Sequence, residues 1–200
     1  MTMPLDTHAD VPDEALLTLF ANGDGAAAQA LTHRFTPVVM AHAFRLLGDR
    51  AEAEDVAQET MLRLWKIAPE WRRGEAKVTT WLYRVVANLA TDRLRKRGRG
   101  ADGHGPALDD VPEPVDGAMS AEERLQTQAR ADALQGALDK LPERQRQAVV
   151  LRHIEGLGNP EIAEVMAIST EAVESLTARG KRSLSAALAG RRDELGYGDD

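Results

Sequence analysis

The chain has 200 residues, enough for one large domain or two small ones, and only 4% of them are aromatic. It contains no cysteine, which excludes disulfides and thiolate metal sites. No apolar run approaches the roughly 20 residues of a membrane span, and the acidic first 13 residues contain no apolar signal core. We therefore expect a cytoplasmic protein that does not insert into membranes, with small helical cores filled by leucine, valine and alanine.

The net charge of −7 argues against nucleic acid binding, but the charge is unevenly distributed. Residues 67–99 carry nine basic and three acidic side chains, whereas residues 1–66 and 100–139 are both net negative. Salt screens charges that lie more than about 10 Å apart. A local basic block can therefore bind phosphates although the whole chain is acidic.

The first half of the chain predicts four helices. The Asn-Gly-Asp-Gly sequence at 22–25 ends the first helix and begins the second, in which Pro37 predicts a kink or a break. Asp49 is placed to cap a third helix over Arg50–Ile67. A loop over 68–78 separates this helix from a fourth, which begins near Thr79 or Thr80 and ends in a basic run.

The second half begins with a spacer of different composition. Residues 98–119 hold five glycines, three prolines and five acidic residues, which predicts a flexible acidic linker. Ser120-Ala121-Glu122-Glu123 then matches a helix capping box, and the next helices cover about 121–138 and 143–154. Asn159-Pro160 predicts the cap and first turn of a short helix, and Ser169 can cap a last helix through Leu188.

The last two helices form a helix-turn-helix pattern. A short helix is followed by a tight turn at 167–169 and by a longer helix with basic residues. One face of the longer helix would be free for a major groove about 12 Å wide. An ordinary helical hairpin produces the same pattern, so the pattern alone leaves DNA binding and simple packing both open.

Basic residues and tryptophans occur together around the fourth helix. Cations hold phosphates and aromatic rings stack with unpaired bases, a combination that suits single-stranded nucleic acid. The alternative is a solvated helix end, where the helix dipole favours basic residues. Trp81 adjoins an apolar stripe and is expected in the core, whereas Trp71 lies in a charged loop and is expected to be more open.

The third helix carries a polar stripe interrupted by one leucine. Asp55, Gln58, Glu59, Leu62 and Lys66 are three or four residues apart, which places them along one helix face. Such a face can dock a partner helix or be merely solvated. The five histidines of the chain are scattered without metal-ligand spacing, and no nucleophile–base set accompanies the carboxylates. We expect neither an enzyme nor a metal, and no cofactor.

Two segments carry a family resemblance. The sequence AEDVAQETMLRLW at 53–65, followed by TWLYRVVAN at 80–88, resembles region 2 of the extracytoplasmic-function (ECF) group of bacterial sigma factors. The sequence LPERQR at 141–146, continuing to Leu184, is similar to region 4 of that group. The resemblance implies an all-α protein with region 2 at 10–97, a flexible linker at 98–119 and a helix-turn-helix region 4 at 120–189.

The resemblance also implies function and partners. It implies an alternative sigma factor that binds the clamp helices and flap of core RNA polymerase. Such a factor recognises promoter DNA and directs transcription initiation. The resemblance further implies that it acts in a stress response and that an anti-sigma factor controls its activity. The implied polymerase-binding residues are Asp55, Gln58, Glu59, Leu62 and Lys66. The implied −10 residues are Trp71, Arg72, Arg73, Lys77, Arg84, Asn88, Arg95 and Lys96. The implied −35 residues are Glu174, Ser175, Ala178, Arg179, Lys181 and Arg182.

Several positions depart from the family pattern. The family usually has basic residues where Glu174 and Leu176 stand, and commonly a glycine where Ala167 stands. Gly180 lies inside the recognition helix, at a cost of about 1 kcal/mol relative to alanine. These departures imply weaker phosphate attraction and an unusual −35 preference.

The sequence leaves three other functions open. A DNA-binding regulator that never joins polymerase explains the helix-turn-helix but leaves the polar stripe of the third helix without a role. A decoy that titrates an anti-sigma factor has no need for the basic run at 93–97. A helical hydrolase has only abundant carboxylates in its favour.

Overall fold

The computed structural model describes residues 8, 10–72, 74, 76–99 and 120–189, without the side chains of Arg99, Ala121 and Glu122. Every regular element in these ranges is helical, which confirms the all-α prediction. The α-helices are α1 Asp13–Ala21, α2 Gly25–Leu47, α3 Arg50–Ile67, α4 Val78–Arg99, α5 Ala121–Asp139, α6 Glu143–Val149, α7 Asn159–Met166 and α8 Thr170–Ala189. A 3₁₀ turn, Ala68–Glu70, follows α3, and a π-helical turn, Val150–Ile154, continues α6.

Side-chain caps begin α3, α5 and α8 at the predicted positions, and a side chain also caps α2. The Asp24 carboxylate accepts from the first backbone N–H groups of α2, and Asp49 accepts from the Glu52 N–H at 2.9 Å. Ser120 and Glu123 form the reciprocal capping box of α5. Ser169 accepts from the Ala172 N–H at the start of α8. Each cap satisfies a donor that has no partner within its helix, a contribution of about 1 kcal/mol.

The break predicted at Pro37 does not occur. The helix α2 is continuous from Gly25 to Leu47 with Pro37 inside it. Phe35 and Val39, on either side of the proline, are both fully buried in the core. Packing on both sides of the proline holds the two halves in one helix although Pro37 donates no backbone hydrogen bond.

Two predicted boundaries also move. Gly158, not Asn159, is the extended residue before α7, and its N–H donates to the Glu161 carboxylate at 2.9 Å. Asn159 and Pro160 are the first two helical residues. Backbone N–H groups in the first turn have no partner within the helix, so the N–H that proline lacks costs no hydrogen bond there. The helix α4 includes Gly98 and Arg99, two residues assigned to the linker, and the other linker residues, 100–119, lie outside the described ranges.

The two helical units, α1–α4 and α5–α8, pack against each other. The larger core contains residues of α1 to α4 together with Leu138, Leu141 and Val149 of the second unit. The smaller core joins Tyr83 and Ala87 of α4 to residues of α6, α7 and α8. The units therefore share apolar surface and do not behave as independent cores.

Gly180 is explained by the packing of α8 on α6. A Cβ at this position would lie 2.5 Å from a Val149 methyl group and 3.1 Å from the Gln145 carbonyl oxygen. We expect Gly180→Ala to destabilise the fold by about 1–3 kcal/mol, because the overpacking outweighs the better helix propensity of alanine. The measurement is urea unfolding followed by helical circular dichroism.

Gly136 supplies a matched control in α5. A Cβ there meets nothing within 4 Å, so Gly136→Ala should stabilise the chain by up to about 1 kcal/mol. A Gly180→Ala variant as stable as the unmodified chain would contradict the close approach of α6 and α8.

Candidate polymerase and promoter interface

The predicted polymerase face of α3 is open in the structure. Asp55, Gln58, Leu62 and Lys66 are exposed and Glu59 is half-buried, while Val56 and Leu64 on the other side of the helix are fully buried. Leu62 has 52% of its surface exposed, a large value for a leucine on an otherwise polar stripe. Single exposed leucines are common on protein surfaces, so the exposure shows that the stripe is accessible to a partner.

Two ion pairs orient the carboxylates of this face. Glu59 accepts from the Arg63 guanidinium at 2.8 Å, one helical turn away. Asp55 accepts from Arg93 of α4 at 3.3 Å, which places its carboxylate at the edge between the two helices. Both pairs are solvent-exposed, so they fix side-chain positions more than they stabilise the fold.

Most of the predicted −10 residues lie along α4 and the loop before it. Arg72, Lys77, Asn88, Arg95 and Lys96 are exposed and Arg84 is half-buried, whereas Arg73 lies outside the described residues. The opposite face of α4 buries Leu82 and Val86. The helix therefore presents a predominantly basic surface on one side and a core-forming stripe on the other, as the apolar spacing predicts.

Trp71 is more enclosed than its charged loop suggests. Its ring packs edge-on against Trp81, with 6.0 Å between centroids and 84° between ring planes. Both rings pack on the larger core. The indole N–H of Trp71 is buried and has no hydrogen-bond partner among the described residues. This tryptophan anchors the loop on the core, and only part of its surface can meet a ligand.

Acidic side chains of the second helical unit contact the −10 residues, a feature absent from the sequence prediction. Lys77 Nζ lies 2.8 Å from Glu161 Oε1, and an Arg84 guanidinium nitrogen lies 2.6 Å from Glu164 Oε1. The partners are more than 75 residues apart in sequence. No local sequence pattern signals such contacts, because they depend on how the two units pack.

The predicted −35 residues share the open face of α8. Glu174, Ser175, Ala178, Arg179, Lys181 and Arg182 are all exposed, while Val173 and Gly180 are buried on the other side. The Glu174 carboxylate accepts from the Asn159 side chain at 3.2 Å, which ties α8 to the start of α7. The structure thus brings the six residues together on one side of the helix.

The turn between α7 and α8 has a left-handed residue at its centre. Ala167 has a φ of 51°, a conformation that costs an L-residue with a Cβ roughly 1–2 kcal/mol. A glycine, which the resemblance leads us to expect at this position, would avoid most of this strain.

A buried carboxylate joins the two helical units. Glu155, which follows the π-helical turn, lies with Oε1 3.1 Å from His42 Nδ1 and 3.2 Å from an Arg45 guanidinium nitrogen. Its Oε2 accepts from the Tyr83 hydroxyl at 2.8 Å. Since a carboxylate only accepts, Nδ1 carries the His42 proton in this contact.

The same contacts shift two pKa values. Burial opposes ionisation of Glu155, but the hydrogen bonds from His42 and Tyr83 hold the pKa of Glu155 below its usual value. Burial, reinforced by the Glu155 charge, raises the pKa of Tyr83 well above its ordinary range. Glu155 is therefore a charged acceptor and Tyr83 a neutral donor near neutral pH.

Among the described residues, no cluster of histidine and acidic side chains has the arrangement of a metal site. None of the described helices is long and apolar enough to cross a membrane.

Comparison with known proteins identifies the two units. The family model for Sigma-70 region 2 matches residues 31–100, and that for Sigma-70, region 4 matches residues 131–184. The ECF RNA polymerase sigma factor SigE of Mycolicibacterium smegmatis is 34% identical over 181 residues, which cover 87% of this chain and 67% of that protein.

Two solved structures are similar in fold. CnrH, solved in complex with the cytosolic domain of CnrY, is 27% identical with a TM-score of 0.62, covering 89% of this chain and 97% of that chain. The sigma factor RpoE of Bartonella quintana, solved with the anti-sigma factor NepR, is 21% identical with a TM-score of 0.63, covering 81% of this chain and 96% of that chain. The chain belongs to the ECF group of sigma-70 factors, a family of transcription initiation factors.

Proposed function

We propose that this chain is a cytoplasmic, non-enzymatic sigma factor that binds core RNA polymerase through the exposed face of α3. The observation that carries this proposal is the open stripe of Asp55, Gln58, Glu59, Leu62 and Lys66, with an exposed leucine among polar side chains. The acidic members supply charge complementarity to a basic partner surface, and Leu62 supplies buried apolar area. The clamp helices of polymerase are the proposed partner of this stripe.

The promoter is proposed to bind on two separate surfaces. The exposed side of α4, with Arg84 and Asn88, and Lys77 in the loop before it would hold the −10 strand through phosphate contacts and contacts to unstacked bases. The exposed side of α8, with Arg179, Lys181 and Arg182, would enter the −35 major groove. Glu174 on the same side can accept from cytosine N4, so it would specify a base and not merely repel phosphate.

Control by an anti-sigma factor is the third part of the proposal. A groove of about 760 Å³ lies between α2, α3 and α5. Apolar side chains line its floor, namely Pro37, Met40, Phe44, Met61 and Trp65. Arg45 and Glu54 also line it, which suits an amphipathic helix with an apolar face and charged flanks. RpoE of Bartonella quintana, which is similar in fold, was solved in complex with an anti-sigma factor.

The proposal is tested by mixing the purified chain with bacterial core RNA polymerase and DNA from upstream of its own gene. We expect a complex on native gels and permanganate-reactive thymines near the transcription start. Binding of the DNA without any polymerase complex would replace the proposal with a plain helix-turn-helix regulator. A polymerase complex that never melts the DNA would indicate a decoy.

A further inference from the structure

We propose that Asn159 on α7 is a positioning residue that fixes the Glu174 carboxylate on α8, and that the fixed carboxylate selects cytosine at one position of the −35 element. The Asn159 side-chain amide donates to Glu174 Oε1 at 3.2 Å. These two residues form the reading pair. The inference rests on the −35 surface of α8 proposed above and extends it to a residue of the neighbouring helix.

Glu174 lies where a recognition helix meets base edges. It is exposed in the second turn of α8, and the N-terminal part of such a helix is the part that contacts bases in the major groove. Its neighbours on the open face, Ser175 and Ala178, have short side chains that leave the carboxylate accessible. The long side chains of Arg179 and Arg182 follow nearer the end of the helix, where they suit phosphates.

Core packing fixes the backbone on both sides of the reading pair. Asn159 is half-buried and begins α7, and Pro160 restricts the backbone at the next position. Ile162, about one turn further along α7, and Val173, the residue before Glu174, are both fully buried in the smaller core. The two side chains therefore extend from positions that the core holds in place.

The hydrogen bond leaves one carboxylate oxygen for DNA. An exposed glutamate has several rotamers, and most of them point its carboxylate away from any one base. Asn159 holds Oε1 at the start of α7, so Oε2 is the oxygen that can accept from a base. Within the described part of the chain, Glu174 forms no salt bridge with a basic side chain. Asn159 is therefore the group that orients it.

The chemistry of a fixed carboxylate favours cytosine. A carboxylate only accepts, so the base must present a donor in the major groove. Cytosine N4 and adenine N6 are donors, whereas the edges of guanine and thymine present acceptors. Adenine also has the acceptor N7 beside its N6, which repels a carboxylate that cannot turn away, and cytosine has a C–H group there. Cytosine is therefore preferred, adenine comes second, and fixing the carboxylate increases the difference between them.

The packing of α7 on α8 does not depend on the reading pair. The helices are held together by buried apolar side chains, namely Ile162, Met166 and Val173. The contact between Asn159 and Glu174 is exposed, and a hydrogen bond in contact with water contributes little to the free energy of folding. Removing the amide should therefore release the carboxylate without unfolding the two helices.

The test is a selection of DNA sequences by the full chain. The chain, alone at low salt and in complex with core RNA polymerase, is mixed with duplexes that carry about one helical turn of randomised base pairs, and the bound DNA is sequenced. The variants are Asn159→Ala, Asn159→Asp, Glu174→Gln and the double variant Asn159→Ala/Glu174→Gln. Glu171→Gln is the matched control, because it makes the same charge change at an exposed position about one turn earlier on α8.

We expect the unmodified chain to prefer cytosine over guanine and thymine at one position by about tenfold or more. Glu174→Gln should lose this preference in favour of adenine, which an amide can contact through two hydrogen bonds. Asn159→Ala should lower the cytosine-to-adenine ratio about fivefold, with an unchanged midpoint of urea unfolding. Glu171→Gln should leave the base preference unchanged.

Two further variants separate positioning from a structural role. In the Glu174→Gln background, Asn159→Ala should change no base preference, because no carboxylate remains to be positioned. Asn159→Asp keeps the size of the side chain but replaces the donor with an acceptor, so it should lower the cytosine-to-adenine ratio like Asn159→Ala. An aspartate suits the first turn of a helix, so this variant remains informative if Asn159→Ala destabilises α7.

Uniformly weaker binding of all sequences by Asn159→Ala, with the cytosine preference unchanged, would show that Asn159 only ties α7 to α8. The same shift in base preference with and without Glu174, or no cytosine preference in the unmodified chain, would also overturn the reading pair. A chain that selects cytosine by itself but forms no complex with core polymerase would leave the reading pair standing and reject the sigma function.

Discussion

Asp55→Arg is expected to weaken binding to core RNA polymerase by about a hundredfold. The substitution reverses the charge of the first carboxylate on the α3 face and places the new guanidinium next to Arg93, its present partner. Loss of a charge partner across a protein interface costs about 2–5 kcal/mol, which corresponds to this loss of affinity. Titration of fluorescently labelled chain with core polymerase measures the dissociation constant.

Asp10→Arg is the control for this substitution. It makes the same change in net charge at an exposed position before α1, away from the α3 face. The control should bind polymerase like the unmodified chain. Equal affinities for Asp55→Arg and Asp10→Arg would show that the stripe on α3 is solvated and not an interface.

Asn88→Ala is expected to reduce promoter opening by about tenfold or more while polymerase binding stays unchanged. Asn88 is exposed on α4, so its removal leaves no cavity in the core. Its amide can both donate to and accept from the edge of an unstacked base, and such a contact contributes about 1–3 kcal/mol of discrimination. Permanganate reactivity of promoter thymines measures the opened fraction.

Gln29→Ala tests whether the effect is specific. Gln29 is an exposed amide on α2, far from the −10 surface in sequence and on a different helix. This variant should open the promoter normally. If Asn88→Ala opens the promoter to the same extent as Gln29→Ala, Asn88 is not part of the surface that reads the −10 element.

Features determined by neighbouring residues could be predicted from the sequence. The caps at Asp24, Asp49 and Ser120 each depend on a side chain within three residues of the N–H groups that it satisfies. The apolar spacing of α3 also placed Val56 and Leu64 in the core, with Leu62 on the open face. Interactions between residues close in sequence form in the same way in a fragment and in the folded chain.

Features that depend on packing could not be predicted. His42 and Glu155 are 113 residues apart, and neither belongs to a motif that points to the other. Gly180 is unfavourable within an isolated helix and becomes necessary only because Val149 approaches it. Pro37 breaks an isolated helix more readily than one held by core contacts on both sides. In each case tertiary contacts outweigh the local preference.

Reconstituted transcription tests the central claim most directly. The purified chain, bacterial core polymerase and a linear template carrying the region upstream of its own gene are incubated with nucleotides, and the transcripts are sized. We expect transcripts from a single start site that appear only when the chain is present and disappear with Asp55→Arg. Transcription unaffected by the chain, together with no complex between the chain and polymerase, would contradict the assignment of this chain as a sigma factor.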